Sequence, residues 1–219
     1  MTAVIDYSPG DTAVDASIRR VLNAGSGPYS PTKLHRLFSD ATWREIRLDI
    51  DSRANPDMVA SVTNMREVVT DASFDAIWSS HNLEHLYAHE VPVALAEFRR
   101  VLKADGFALI ATPDLETVAR LIVDSGLETI AYTSPAGPIT PLDMLYGHSP
   151  SIGRGNTFMA HKTGYTCDRL GRLIVEAGFA EALVTNASPF ELLAIALMPM
   201  ADRGRLVADL RGHGVDFSA

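Results

Sequence analysis

Near its amino terminus the chain passes from Arg20-Val21-Leu22 through Asn23-Ala24 into Gly25-Ser26-Gly27-Pro28, a short apolar run that ends in a turn with two glycines. No other stretch constrains the fold as much. Glycines at such a turn open backbone angles that a Cβ would forbid, and they let the main chain approach a ligand closely. If a helix follows, its unpaired N–H groups face the same space. A nucleotide-like ligand suits that arrangement, although a two-glycine turn taken alone is more often plain turn chemistry.

Composition narrows the alternatives. With 219 residues, 47% hydrophobic and 21% charged, the chain can bury a sizeable core and reads as one α/β domain over 1–219 with an inserted segment. The formal net charge of -8 and the lack of a Lys/Arg run argue against a protein that binds nucleic acid through its phosphates. A single cysteine, Cys167, leaves no internal disulfide and fits a reducing compartment; it reads as a small, partly buried hydrophobe. Met1-Thr2-Ala3-Val4-Ile5-Asp6 lacks the marks of a signal peptide, and no apolar run approaches the ~20 residues needed to span a bilayer. The expectation is a cytoplasmic protein without a membrane span.

Taken in order, residues 1–17 read as an arm broken by Pro9 and Gly10, and a first strand begins near Ile18. Leu34, Leu37 and Phe38 have helical spacing, which predicts a short helix over 31–38. Trp43 to Asp51 alternates as a strand does and closes on Asp49, Ile50 and Asp51 before Ser52, Asn55 and Pro56. In an open parallel sheet, ligands bind outside the carboxyl ends of the strands, where a carboxylate can accept both hydroxyl protons of a ribose. Asp49 is expected to do this. Asp51 is equally explained as a turn-forming acid.

Further on, Phe74-Asp75-Ala76-Ile77 enters a polar turn and then Leu83-Glu84-His85-Leu86, and Glu97 to Ile110 runs as a helix, a turn at Asp105-Gly106 and a strand. In this order the segments resemble the class I S-adenosylmethionine-dependent methyltransferases, especially their small enzymes that act on small molecules. The resemblance covers roughly 18–114 and the carboxyl-terminal strands. It implies a Rossmann-like, mostly parallel seven-stranded sheet flanked by helices, with a carboxyl-terminal antiparallel hairpin, here read at 182–186 and 191–197. It also implies S-adenosyl-L-methionine as cofactor and methyl transfer to an O, N or C atom of a small-molecule acceptor. Asn23, Ala24, Gly25, Ser26 and Gly27 would then cradle the amino-acid part of the cofactor. Asp49, with Ile50 beside it, would take the ribose, Val62, Thr63 and Asn64 would edge the adenine, and Ser80 and His81 would lie near the methyl group. The sequence departs from the family pattern at Asn23, where an acid is usual, at Tyr29, in the place of a third glycine, and at Ser61-Val62-Thr63, where an acid is common.

His81, His85 and His89 recur every four residues, a spacing that can put metal ligands on one helix face. The Leu-Glu-His motif already accounts for His85, and no metal site is expected. Residues 133–166 hold four prolines among scattered glycines, with His148, Arg154, Asn156, His161 and Tyr165 between them. So long a stretch without periodicity inside a domain, yet with aromatic and apolar residues, reads as a lid over the substrate. His148 and His161 are candidates for a general base, with a structural histidine the alternative for each, and His81 joins them by its place near the methyl group. Arg154, Asn156 and Tyr165 are candidate substrate contacts. Two rival readings stay open, a catalytically silent methyltransferase-like binding module and a nicotinamide-dependent oxidoreductase.

Overall fold

Strand β1 (Arg19–Ala24) ends at the glycine turn, where Gly25 (φ +71°) and Gly27 (φ +59°) are both left-handed. The computed structural model describes residues 18–217, so the arm read at 1–17 lies outside the described residues. The helix expected over 31–38 is reduced to a single 3-10 turn at Arg36–Phe38. Its backbone is engaged elsewhere: the Trp78 indole donates to the Lys33 carbonyl at 2.9 Å, and the Leu37 N–H donates to His35 Nδ1 at 3.1 Å. A carbonyl tied to the sheet in this way is not free to extend a helical ladder.

Strand β2 (Trp43–Asp49) follows, then β3 (Met58–Val59), β4 (Phe74–Ser80) and a 3-10 turn at Leu83–His85. Helix α1 (Val91–Val101) leads directly into β5 (Leu102–Pro113), and α2 (Leu115–Ser125) is capped by the Asp114 side chain. The segment read as an insertion holds β6 (Tyr132–Ser134), β7 (Gly137–Ile139), α3 (Pro141–Tyr146) and α4 (Ser149–Gly153). Helix α5 (Cys167–Glu176), the hairpin β8 (Glu181–Ser188) and β9 (Glu191–Leu197), and α6 (Arg203–Gly212) complete the described chain.

The main sheet has seven strands in the order β3-β2-β1-β4-β5-β9-β8. β1 to β5 pair in parallel, while β9 runs antiparallel to both β5 and β8. The expected Rossmann-like sheet with a terminal hairpin is therefore present. Its strand order reverses between β1 and β4, which is where an open α/β sheet forms its crevice.

Alternation along the strands separates two cores. On β5, Ala108 and Ile110 face a layer that contains Val91, Ala94, Leu95, Phe98 and Val101 of α1 with Leu170 and Ile174 of α5. The α1 residues recur at the three-and-four spacing that forms one helix face. Phe107, Leu109 and Ala111 face the other layer, with Phe38, Trp43, Leu206, Leu210 and Phe217. Phe38 meets Trp43 edge-on at 4.9 Å and stacks on Phe107 at 6.1 Å. Cys167 is exposed rather than part-buried; it opens α5, with its Sγ 3.8 Å from Val184 O on the edge strand β8.

His35 sits beside the second layer, 5.3 Å from the Trp78 ring. Burial, the nearby His213 and Arg36 lower its pKa to about 4 from the ordinary 6.5, with Glu191 opposing them. Between those values the unfolded chain binds a proton that the folded chain does not. Stability is therefore complete above pH 6.5 and falls as pH drops toward 4, by about 2 kcal/mol after allowance for partial exposure. Denaturation curves at pH 7 and pH 4.5 should show that loss in the wild type, and a smaller one in His35→Asn, whose side-chain oxygen can still accept from Leu37.

Candidate active site

The glycine turn is clamped by β2. Leu48 O accepts from Gly25 N at 2.9 Å and from Ser26 N at 3.1 Å, and the Arg47 guanidinium donates to Gly27 O at 2.8 Å. The Asp49 carboxylate, 9% exposed, accepts from Gly27 N at 2.7 Å through Oδ2 and from Asp51 N at 2.8 Å through Oδ1. Each oxygen retains a lone pair for a further donor. Asp51 caps the turn at Ser52–Ala54 and pairs with Arg53, which is the turn-forming role. Ile50 is 52% exposed next to Asp49.

Asn23 does not turn toward the glycines. Its Nδ2 donates to Glu45 Oε1 at 2.6 Å, a bond between neighbouring strands. Tyr29 is exposed, with the Arg47 guanidinium 5.8 Å from its ring. The close neighbour of Gly25 is Asn82, which the sequence reading passed over: a Cβ on Gly25 would lie 2.5 Å from Asn82 Cγ. The signal available was a polar side chain two residues past the end of β4.

Ala60 N donates to Asp49 O at 3.1 Å, which brings the loop after β3 to the same edge of the sheet. Within that loop Val62 belongs to the core, whereas Thr63 is half-buried and Asn64 exposed. At the end of β4, Ser80 pairs with Ala111. The next residue, His81, takes φ +48°, uncommon without a glycine. Its half-exposed ring bonds Glu191 Oε2 at 2.8 Å through Nε2, and Nδ1 lies 3.3 Å from Glu84 Oε1. Burial opposes the charge, but the Glu191 and Glu84 carboxylates outweigh it and push the His81 pKa up to about 10. A histidine held protonated cannot serve as a base at neutral pH, which corrects that expectation for His81.

Among the described residues, buried side-chain atoms without a hydrogen-bond partner include Ser79 Oγ, Asn82 Nδ2, Thr112 Oγ1 and Glu84 Oε2. Native structures leave few such atoms without a partner, protein or water. Glu84 is 1% exposed; burial raises its pKa, and the histidines around it, His81, His85 and His161, overcome that and lower it.

The segment read as a lid is sewn to this edge. Lys162 N donates to Glu84 O at 2.8 Å, His161 N to Tyr146 O at 3.1 Å, and Leu115 N to Tyr165 O at 2.9 Å. Tyr165, expected at the substrate, is a core residue with no exposure, and its hydroxyl donates to Leu83 O at 3.1 Å. Within the segment His148 Nδ1 meets Ser151 Oγ at 2.8 Å, and the exposed Arg154 donates to the same hydroxyl at 3.3 Å. Among the described residues His148 Nε2 and Asn156 Oδ1 are buried without partners. His161 lies apart from these, its ring 4.9 Å from that of His85, and burial lowers its pKa. His81, His85 and His89 do not share a helix face, because Leu83–His85 is a 3-10 turn and α1 starts only at Val91. A groove of about 260 Å³ lined by Arg19, Trp43, Asp75 and Asp209 opens at the opposite, amino ends of the strands.

The strand order, with its antiparallel terminal hairpin, gives a Rossmann-like fold of the kind found in class I methyltransferases. Residues 30–110 match the family model described as a methyltransferase domain. The likeness to class I methyltransferases expected from the sequence is thus present in both the architecture and the matched segment. Among solved structures, the chain is similar to a SAM dependent methyltransferase from Archaeoglobus fulgidus, with 14% identity, a TM-score of 0.54, and 82% of this chain and 86% of that one covered. It is also similar to the PH0226 protein from Pyrococcus horikoshii, with 15% identity, a TM-score of 0.56, and coverage of 83% and 82%. A SAM dependent methyltransferase from Aquifex aeolicus gives 14% identity, a TM-score of 0.51 and 82% coverage of each chain. At these identities the likeness is one of fold. No curated protein matches the chain.

Proposed function

We propose that the chain binds S-adenosyl-L-methionine at the carboxyl edge of β1, β2 and β4 and transfers its methyl group to a nucleophilic atom of a small-molecule acceptor held beneath residues 133–166. The observation that carries this reading is Asp49, a nearly buried carboxylate at the end of β2 that also holds the Gly27 turn. The residues present fit the cofactor. Asp49 keeps lone pairs for two ribose hydroxyls, and Gly25, Ser26 and Gly27 offer a close backbone cradle. Asn82, whose side chain packs beside Gly25, has an Nδ2 donor with no partner among the described residues, suited to a carboxylate. Asn23, committed to Glu45, is left with the task of bracing β1.

The cofactor supplies an electrophilic sulfonium methyl, so the protein's work is placement. The glycine turn and Asp49 fix one side, the segment over 133–166 covers the other, and the acceptor is held in line while water is kept out. Asp49, Ala24, Ser80 and the loop at Thr63 and Asn64 form the cofactor side of this arrangement. His148, Arg154 and Asn156 form the acceptor side.

The test is incubation of the purified protein with methyl-labelled S-adenosylmethionine and a panel of small hydroxyl, amine and activated-carbon acceptors. Stoichiometric retention of label by the protein and its transfer to one acceptor class is the expected result. Retention without any transfer would favour the silent binding module.

A further inference from the structure

We propose that Glu84, His85 and His161 form a binding site for a single divalent transition-metal ion of the zinc class. One ligand-capable atom from each of these residues lies within 4.8 Å of the others. A tetrahedral ion would draw such atoms to about 3.4 Å from one another, an adjustment within the reach of side-chain rotation.

Three observations carry the site. First, the Nδ1 of His85 faces Ala160 O at 3.2 Å, and the Nδ1 of His161 faces Met144 O at 2.9 Å. A carbonyl can only accept, so each Nδ1 bears the proton and each Nε2 presents its lone pair. This is how metal-ligating histidines are held by their outer partners. Second, Glu84 is 1% exposed, and among the described residues its carboxylate pairs with the His81 ring through Oε1, Nδ1 lying at 3.3 Å, while Oε2 has no hydrogen-bond partner. A buried carboxylate oxygen left without a partner is costly unless a further donor or cation satisfies it. Third, the ligands are set by the fold: Glu84 and His85 ride on the turn after β4, and the backbone bond from Lys162 N to Glu84 O holds His161 over them.

Two imidazoles and one carboxylate select a borderline ion such as Zn²⁺ over Mg²⁺ or Ca²⁺, which take oxygen ligands. Three protein ligands leave a coordination position open. Resting on the methyl-transfer reading, that position would hold an oxygen or nitrogen of the acceptor, since the site lies at the carboxyl end of β4.

The experiment is calorimetric titration of tag-free, chelator-treated protein with Zn²⁺, with Mg²⁺ in parallel, using wild type, Glu84→Gln and His161→Gln. Melting curves in chelator establish that each is folded. The wild type should bind one Zn²⁺ per chain and gain thermal stability from it. Mg²⁺ should not bind, and both variants should lose at least 100-fold in Zn²⁺ affinity. Absence of Zn²⁺ binding by folded wild type, or binding undiminished in either folded variant, would overturn the site. S-adenosylhomocysteine titrated into the same samples separates the two ideas: binding without Zn²⁺ uptake rejects the metal site alone, and Zn²⁺ uptake without it leaves the metal site standing and rejects the cofactor.

Discussion

Asp49→Ala is expected to raise the dissociation constant for S-adenosylhomocysteine by about 100- to 10,000-fold. Two hydroxyl-to-carboxylate hydrogen bonds of the charged kind contribute about 1.5–3 kcal/mol each, and about 1.4 kcal/mol corresponds to tenfold in affinity. The substitution also strips the Gly27 and Asp51 N–H groups of their acceptor, so the cradle loosens along with the ribose contact. Asp49→Asn separates the effects. It keeps the shape and one carbonyl oxygen for the Gly27 turn, and its loss should be nearer tenfold. Calorimetry on both variants, with far-UV spectra to establish folding, is the measurement. Folded alanine variant that binds as well as wild type would remove Asp49 from the site.

The second large effect is expected at Gly147, which ends α3 with φ +93° and donates its N–H to Asp143 O at 2.8 Å. A Cβ there would overlap the backbone carbonyl oxygen of Met159. The obstacle is main chain, so no rotamer change relieves it, and left-handed strain of about 1–2 kcal/mol adds to the clash. Gly147→Ala should therefore displace 159–161 from the turn at Glu84. We expect turnover with any acceptor to fall at least tenfold while S-adenosylhomocysteine affinity changes by less than about twofold, since β1 and β2 are untouched, and urea denaturation should show a loss of about 2 kcal/mol or more. Equal losses in cofactor affinity and turnover would contradict the separation of the two halves of the site.

The strands at the heart of the sheet were readable because their constraint is local and periodic. Trp43 to Asp49, Phe74 to Ile77 and the hairpin from Ala182 to Leu197 carry the alternation that burial on two faces demands, and the structure has strands in each place. The segment at 31–38 was misread because Leu34, Leu37 and Phe38 satisfy helical spacing while their backbone is drawn off by Trp78 and His35. That competition is tertiary and leaves no mark in the local pattern. Tyr165 carries the composition of a contact residue, yet the return of the chain to Leu115 and Leu83 places it in the core.

The candidate site was legible in part for the same reason. Gly25, Gly27 and Asp49 follow from what a strand end must provide to a ligand. The meeting of Glu84 and His85 with His161 depends on the path of the chain between α2 and α5, which no spacing rule encodes. The regular interval of His81, His85 and His89 suggested a shared face that the 3-10 turn at Leu83–His85 does not supply. Asn82 was overlooked because its role, filling the space beside Gly25, exists only once β1 and β4 are neighbours.

The most direct measurement of the central claim is calorimetric titration of the wild-type protein with S-adenosylhomocysteine, with NADH as the parallel ligand. One molecule of S-adenosylhomocysteine bound per chain, with no heat from NADH, is the predicted result. No binding of S-adenosylhomocysteine by folded protein, or preferential binding of NADH, would contradict it.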